Sequence, residues 1–391
     1  MEIALYLEPA NPTKFHFSKS ENDPRFGDGI KIFSENDNED ILRGFDVAIL
    51  GAHEDRLAIN NTGCAHAAGQ IRGHLYRLYK NSANIRIIDL GDIRQGNGVN
   101  DTYFALKEVL VVLLRAEVLP IIIGGSHDLA YAMYLAYESI GKIINMATVD
   151  SRFDLAKTDE ELHSRSYLSK IILQKPSFLF NFANIGYQTY FVNPGAIKLM
   201  SNLFFDVHRL GNVRGHIEEA EPVLRNADTV SFDIGSVRQA DAPGNGNASP
   251  NGFYGEEACQ LMRYAGLSEK VSSVGLFEVN PGHDQRGQTA HLSAQMLWYF
   301  LDGFSQRSND FPDEKNGQYI KYYVDMEGHK EDIVFYKSKS TDRWWMEIPV
   351  SEEKRSKYRR HLMVPCSYLD YQTACNNEIP DRWWQAYQKL M

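Results

Sequence analysis

Three apolar runs in this sequence end in residues that bind metals or move protons. Leu119-Pro120-Ile121-Ile122-Ile123 leads into Gly124-Gly125-Ser126-His127-Asp128. Ile143-Ile144-Asn145-Met146-Ala147-Thr148 leads into Val149-Asp150-Ser151-Arg152-Phe153-Asp154. Thr229-Val230-Ser231-Phe232 leads into Asp233-Ile234-Gly235. Runs of this kind predict buried strands whose polar tails emerge at the C-terminal ends. In an open parallel sheet, ligands bind just beyond those ends. His127, Asp150, Asp154 and Asp233 would then converge as one imidazole and three carboxylates, a constellation suited to a metal ion. Each has a plainer reading as well. His127 can cap the helix that follows it, and Asp150 and Asp154 can be ordinary strand-end carboxylates. Asp233 is harder to dismiss, because a carboxylate next to apolar Phe232 is costly without a partner.

The elements that must position these residues are readable along the chain. Further strands are expected at 46–51, 85–92, 179–186, 229–234 and 271–279. Between them lie helical stretches, among them 101–117, where Leu106, Val109, Leu110, Leu113 and Leu114 share one face. Alternation of strand and helix predicts a three-layer α/β/α domain with a mainly parallel sheet over residues 45–305. Residues 1–45 are polar and read as an irregular lead-in. Ser305–Gln318 carries Pro312, Gly317 and several charges and reads as a long connection. Beyond it, 306–391 form an aromatic-rich C-terminal extension, with Tyr319, Tyr322, Tyr323, Trp344, Trp345, Trp383 and Trp384. Aromatics so placed either pack the extension onto the main domain or present a contact surface.

Composition excludes several classes. A net charge of -10 argues against general binding to nucleic acid or to an anionic membrane surface. No apolar run reaches transmembrane length. Cys64, Cys259, Cys366 and Cys375 lack close metal-type spacing and read as reduced thiols. The N-terminal stretch lacks a signal-peptide pattern, so a cytoplasmic protein is expected.

Five stretches, in order, resemble the arginase, agmatinase and formimidoylglutamase family of ureohydrolases. Gly124-Gly125-Ser126-His127-Asp128 resembles the family's GG-x-H element in a form nearer formimidoylglutamases. Asp150-Ser151-Arg152-Phe153-Asp154 stands where the family has D-A-H-x-D. Ser231-Phe232-Asp233-Ile234-Gly235, with Asp241-Ala242-Pro243-Gly244 beyond it, resembles S-x-D-x-D and its downstream element. Glu278-Val279-Asn280-Pro281, followed by Asp284 and Thr289-Ala290, resembles E-x-N-P-x-x-D…T-A. Asn61-Thr62-Gly63, Gly69-Gln70-Ile71-Arg72 and Asp89-Leu90-Gly91-Asp92 fit the early motifs.

The resemblance implies an arginase-like fold and two manganese ions held by six side chains, with a bridging hydroxide that attacks a guanidine or amidine carbon. Four of the six ligand positions are kept: His127, Asp150, Asp154 and Asp233. Two are replaced, because Arg152 stands at the histidine position and Gly235 at the second aspartate. Both replaced positions serve the same metal in the family pattern, so at most one Mn2+ is expected, or none. A guanidinium has no lone pair to offer a metal. Arg152 is expected instead to pair with Asp150 or Asp233 and relieve their repulsion, the alternative being an outward-pointing side chain. Glu278 stands where the family holds substrate, with a structural ion pair as the other reading. His163 falls in the family's substrate loop and is a candidate acid or base, although Leu162-His163-Ser164-Arg165-Ser166-Tyr167 does not match the family's pattern there. Two functions follow from different classes. One is a formimidoylglutamase- or arginase-like hydrolase of linear amidine or guanidino C–N bonds, taking a small-molecule substrate. The other is a catalytically silent relative acting in binding, regulation or assembly, with the C-terminal aromatics meeting a protein partner. Family members often form trimers or hexamers, so a homo-oligomer is implied too.

Overall fold

In the computed structural model, which describes residues 3–11, 23–34, 37–80, 84–156, 161–312, 317–327 and 332–391, the apolar runs line up in one ten-stranded sheet. Parts of the lead-in and of the Ser305–Gln318 connection lie outside those residues. The strands are β1 (Leu7–Glu8), β2 (Ile30–Ile32), β3 (Val47–Ala52), β4 (Ile87–Ile93), β5 (Leu119–Ile123), β6 (Ile144–Val149), β7 (Leu179–Tyr187), β8 (Asp206–Arg209), β9 (Thr229–Asp233) and β10 (Ser273–Phe277). Their order is β1-β4-β3-β5-β10-β9-β6-β7-β8, with β2 also pairing with β4. All pairings are parallel except that of β1 with β4. Segment 1–45, expected to be irregular, therefore adds β1 and β2 to the sheet. Strands of two and three residues are too short to show a hydrophobic period.

Helices cover both faces, which explains why the central strands read as continuous apolar runs. Val47, Ile49, Ile121 and Ile123 point into one core with helices Ala67–Leu75, Gly255–Leu267 and Gln288–Ser305. Their neighbours Ala48, Leu50 and Ile122 point into the other core, with helices Val99–Arg115 and Leu129–Ser139. The result is the expected α/β/α layering with a mainly parallel sheet. No helix among the described residues is long and apolar enough to cross a membrane.

The C-terminal extension is a second, antiparallel sheet of β11 (Tyr319–Val324), β12 (Ile333–Ser338), β13 (Trp344–Glu347) and β14 (Met363–Cys366). Phe335, Trp344, Met346, Ile348, Val364 and Leu390 pack a core of their own beneath it. Cations dock it to the main domain. Arg225 donates to the Trp344 and Cys366 carbonyls at 3.1 and 3.2 Å and lies 4.4 Å from the Trp345 ring centre. Arg360 pairs with buried Asp228, and Arg382 donates to Glu219 at 2.9 Å. Asp228 immediately precedes β9, so this docking lies at the N-terminal ends of the strands, away from the ends that carry His127 and Asp233.

Candidate metal centre

Strand order does the positioning. The adjacent strands β5, β10, β9 and β6 deliver His127, Glu278, Asp233 and Asp150 side by side at their C-terminal ends. After β5 the chain turns through Gly124 and Gly125, with φ of 84° and 80°. A Cβ on Gly125 would sit 2.4 Å from Leu129 Cδ1 and 2.9 Å from the Glu54 carbonyl oxygen, so the turn that swings His127 inward needs glycine there. Asp154 follows β6 by a short loop and takes a left-handed φ of 51°, which aspartate tolerates better than most residues.

The four predicted ligand residues meet. His127 Nδ1 lies 3.1 Å from Asp154 Oδ2, 3.5 Å from Asp150 Oδ2 and 3.8 Å from Asp233 Oδ2. His127 Nδ1, Asp150 Oδ2 and Asp154 Oδ2 are buried and have no hydrogen-bond partner. Atoms of His127, Asp150 and Asp233 all fall within 4.8 Å of one another, compatible with a shared ion. Electrostatics agree. Burial, and then the Asp154 charge, push Asp150 up to about 7. Burial and Asp150 push Asp233 up to about 6. Without metal, the cation facing these crowded carboxylates is His127: burial opposes its charge, but Tyr167, Asp150 and Asp154 raise its pKa well above the ordinary value. A divalent ion would take its place.

The other side of the imidazole is held. His127 Nε2 lies 3.0 Å from Ser231 Oγ and 3.3 Å from the Tyr167 hydroxyl. Ser231 in turn donates to Thr148 Oγ1 at 3.0 Å. With the Nε2 hydrogen directed to an oxygen, Nδ1 faces the carboxylates and, once deprotonated, would offer its lone pair to a metal. Sequence reasoning gave Ser231 and Tyr167 no role. The signal for Ser231 was present, since it precedes Asp233 by two residues and shares its strand face.

Glu278 sits above the cluster with both carboxylate oxygens engaged. Oε1 accepts the His127 amide at 2.8 Å and Oε2 accepts Asn61 Nδ2 at 2.6 Å. Burial and the Asp233 charge raise it to about 8. Its partners are thus an amide and an asparagine, not the ion pair offered as one reading. Asn245, also unassigned from sequence, donates to the Glu278 carbonyl at 2.9 Å. His163 Nδ1 accepts the Arg165 amide at 3.0 Å, and the next two residues, Ser164 and Arg165, line the cavity.

Arg152 does not form the expected fork. Only its backbone amide reaches Asp150, donating to Oδ1 at 2.9 Å. The guanidinium carbon lies 4.2 Å from the Phe191 ring centre, and Nη1 donates to the Phe191 carbonyl at 3.3 Å. Phe191 stands in the loop after β7, where its ring and carbonyl compete for the guanidinium. Gly235 gives its amide to Asp233 Oδ1 at 2.6 Å. Over the cluster lies a cavity of about 20 Å³, lined by Ser151, Arg152, Ser164, Arg165, Asn247 and Glu278 among others. That is room for one or two waters. Three loops meet beside it: Ser164 donates its amide to the Leu57 carbonyl at 3.0 Å, Asn247 donates to the Ile59 carbonyl at 2.8 Å, and Arg165 bonds Asn247.

The sequence profile of the arginase family matches residues 45–302, two thirds of the chain and all of the central parallel strands. The chain belongs to the arginase family. The C-terminal sheet lies outside the arginase-family match. A formimidoylglutamase of Staphylococcus haemolyticus is 24% identical over 306 residues, covering 72% of this chain and 95% of the relative. A crystal structure of a Trypanosoma cruzi formiminoglutamase with manganese aligns with a TM-score of 0.65 at 22% identity, covering 73% of this chain and 100% of that one. The formimidoylglutamase of Bacillus subtilis aligns with a TM-score of 0.67 at 19% identity, covering 75% and 95%. These structural likenesses confirm the arginase-family fold.

Proposed function

We propose that this protein is a metal-dependent hydrolase of linear amidine-type C–N bonds, akin to formimidoylglutamases and arginases, built around a single divalent ion, with manganese as the first candidate. The observation that carries the metal is the convergence of His127 Nδ1, Asp150 Oδ2 and Asp154 Oδ2, all buried and all without partners. Orphaned buried acceptors are rare and expensive, and a cation satisfies them together. Asp233 completes the set. When bound, such an ion supplies Lewis acidity and lowers the pKa of an attacking water.

The chain's own residues do the rest. Ser231 and Tyr167 fix the His127 ring. Asn61 and the His127 amide fix Glu278, whose oxygens keep second lone pairs for an amidine N–H at the cavity. A second ion finds poor support, because Arg152 and Gly235 offer no ligand atom. The Asp150 and Asp233 Oδ1 atoms already accept the amides of those two residues. Metal analysis of manganese-loaded protein, with assays of formamide, ammonia and urea release from formimidoylglutamate, agmatine and arginine, tests the reading. No bound ion and no product would refute it.

A second reading has its own support: a silent member of the family, serving as a binding or regulatory component. It is favoured by the small cavity of about 20 Å³ over the cluster, tight for a linear amidine unless the loops around it move. Tyr323, Tyr368 and Trp384, all exposed on the extension, would then offer the contact surface to a partner. Turnover separates the two readings.

A further inference from the structure

Arg152 and Arg165 both line the cavity over the metal ligands, and neither has an ion-pair partner among the described residues. The Arg152 side chain makes one hydrogen bond, to the Phe191 carbonyl, and the Arg165 side chain makes one, to Asn247. Each guanidinium therefore keeps donors unspent, since it carries five N–H groups. The two are close enough to repel. Asp150, Asp154 and Asp233 offset part of that charge, but their free oxygens turn toward His127 Nδ1. An ion held there draws on the same carboxylates. Two cations with open donors are then left facing one small space.

We infer that this cavity is a small-oxyanion site: Arg152 and Arg165 clamp a carboxylate-type group, such as formate or bicarbonate, beside the metal centre. Guanidinium donors match planar oxyanions in geometry as well as charge. The volume of about 20 Å³ limits the occupant to a few atoms, or to the carboxylate end of a longer molecule when the loops part. The inference rests on the metal reading for the placement of the carboxylates.

The test uses the full-length protein, titrated calorimetrically with manganese first, which tests the metal reading alone. Sodium formate follows, in the presence and absence of manganese, with sodium chloride as the ionic-strength control. Formate should bind, and more tightly with manganese present. Arg152→Gln and Arg165→Gln should each weaken it about tenfold or more, the loss of a charge-assisted pair of hydrogen bonds. Arg152→Lys should fall between, and Arg86→Gln, exposed at the N-terminal end of β4, should match the parent. Thermal melts of each variant confirm folding. Equal formate affinity in the parent and both glutamine variants would overturn the site. Manganese binding without formate binding would remove the anion site and leave the metal reading standing.

Discussion

Asp154 Oδ2 lies 3.1 Å from His127 Nδ1, yet neither atom makes a directed hydrogen bond to the other or to anything else. Both are buried. A histidine and an aspartate that approach this closely without bonding are aimed at a common point between them. Asp150 Oδ2 joins them at 3.5 Å. The arrangement makes sense as a coordination shell, and it yields opposite effects on stability with and without metal.

Replacing Asp154 with asparagine removes one of the repelling carboxylates and one ligand. Without metal, the variant should melt at the same temperature as the parent or higher. With manganese in excess, the parent should gain stability, about 2.7 kcal/mol at one hundred times its dissociation constant. Asp154→Asn and His127→Ala should lose most of that gain. Thermal melts across a manganese series check this, and a metal-induced rise that survives both substitutions would remove the assignment.

Arg152→His combined with Gly235→Asp should raise the manganese stoichiometry from one ion to two. The backbone permits it at Gly235, which has no left-handed φ. An added Cβ there would approach Asp233 Oδ1 at 3.0 Å and Asn245 Nδ2 at 3.5 Å, so Asp233 must yield by a few tenths of an ångström. At position 152 the imidazole must leave the Phe191 ring that now holds the guanidinium. Metal analysis after gel filtration decides; a count that stays at one in the double variant would mean that the surrounding shell no longer supports the second ion.

How much of this was legible beforehand follows from physics. Buried parallel strands announce themselves as apolar runs, so β3, β5, β6, β9 and β10, and the residues at their ends, could be read directly. The convergence of His127, Asp150 and Asp233 follows from those ends lying on neighbouring strands. What was not legible depends on contacts distant in sequence. The guanidinium of Arg152 chose Phe191 over the carboxylates, and nothing near Arg152 in sequence indicates that ring. The closure by Ser164, Arg165 and Asn247 joins three loops with no period to read. The extension's sheet was hidden because its aromatics pack in pairs such as Tyr322 with Trp344, whose ring centres are 5.1 Å apart, and obscure the strand alternation.

Mild acid should loosen the protein through His361, at the seam between the extension and the main domain. Its ring stacks on Phe180 at 4.2 Å and its Nδ1 is buried without a partner. Burial first, then the Lys270 charge, push its pKa down to about 3. An unfolded histidine titrates near ~6.5. Between those values the unfolded chain binds the extra proton, so stability rises with pH across the window and is lost as pH falls from about 6.5 toward 3. His208, also lowered by burial, adds to the same limb. His361→Gln should flatten the dependence of melting temperature on pH between about 6.5 and 4.5, by an amount on the order of a few kcal/mol at the acid end. An unchanged slope would place the acid sensitivity elsewhere.

Turnover of formimidoylglutamate, agmatine or arginine should fall several orders of magnitude below that of a two-metal enzyme. The argument is electrostatic. A second cation shares the charge of the intermediate and helps acidify the attacking water; Arg152 returns positive charge but cannot coordinate, and its guanidinium is tied to Phe191. Each ~1.4 kcal/mol lost from transition-state stabilisation costs a factor of ten in rate. Arg165 also lines the cavity and bonds Asn247. Arg165→Ala should lower any residual turnover of a carboxylate-bearing substrate such as formimidoylglutamate, while leaving manganese affinity near that of the parent. Product release measured with saturating manganese, for the parent and for Arg165→Ala, checks both points. Rapid turnover by the unaltered protein on any of the three substrates would show that one ion and Arg152 suffice, and would leave the second metal position without a catalytic role in this chain.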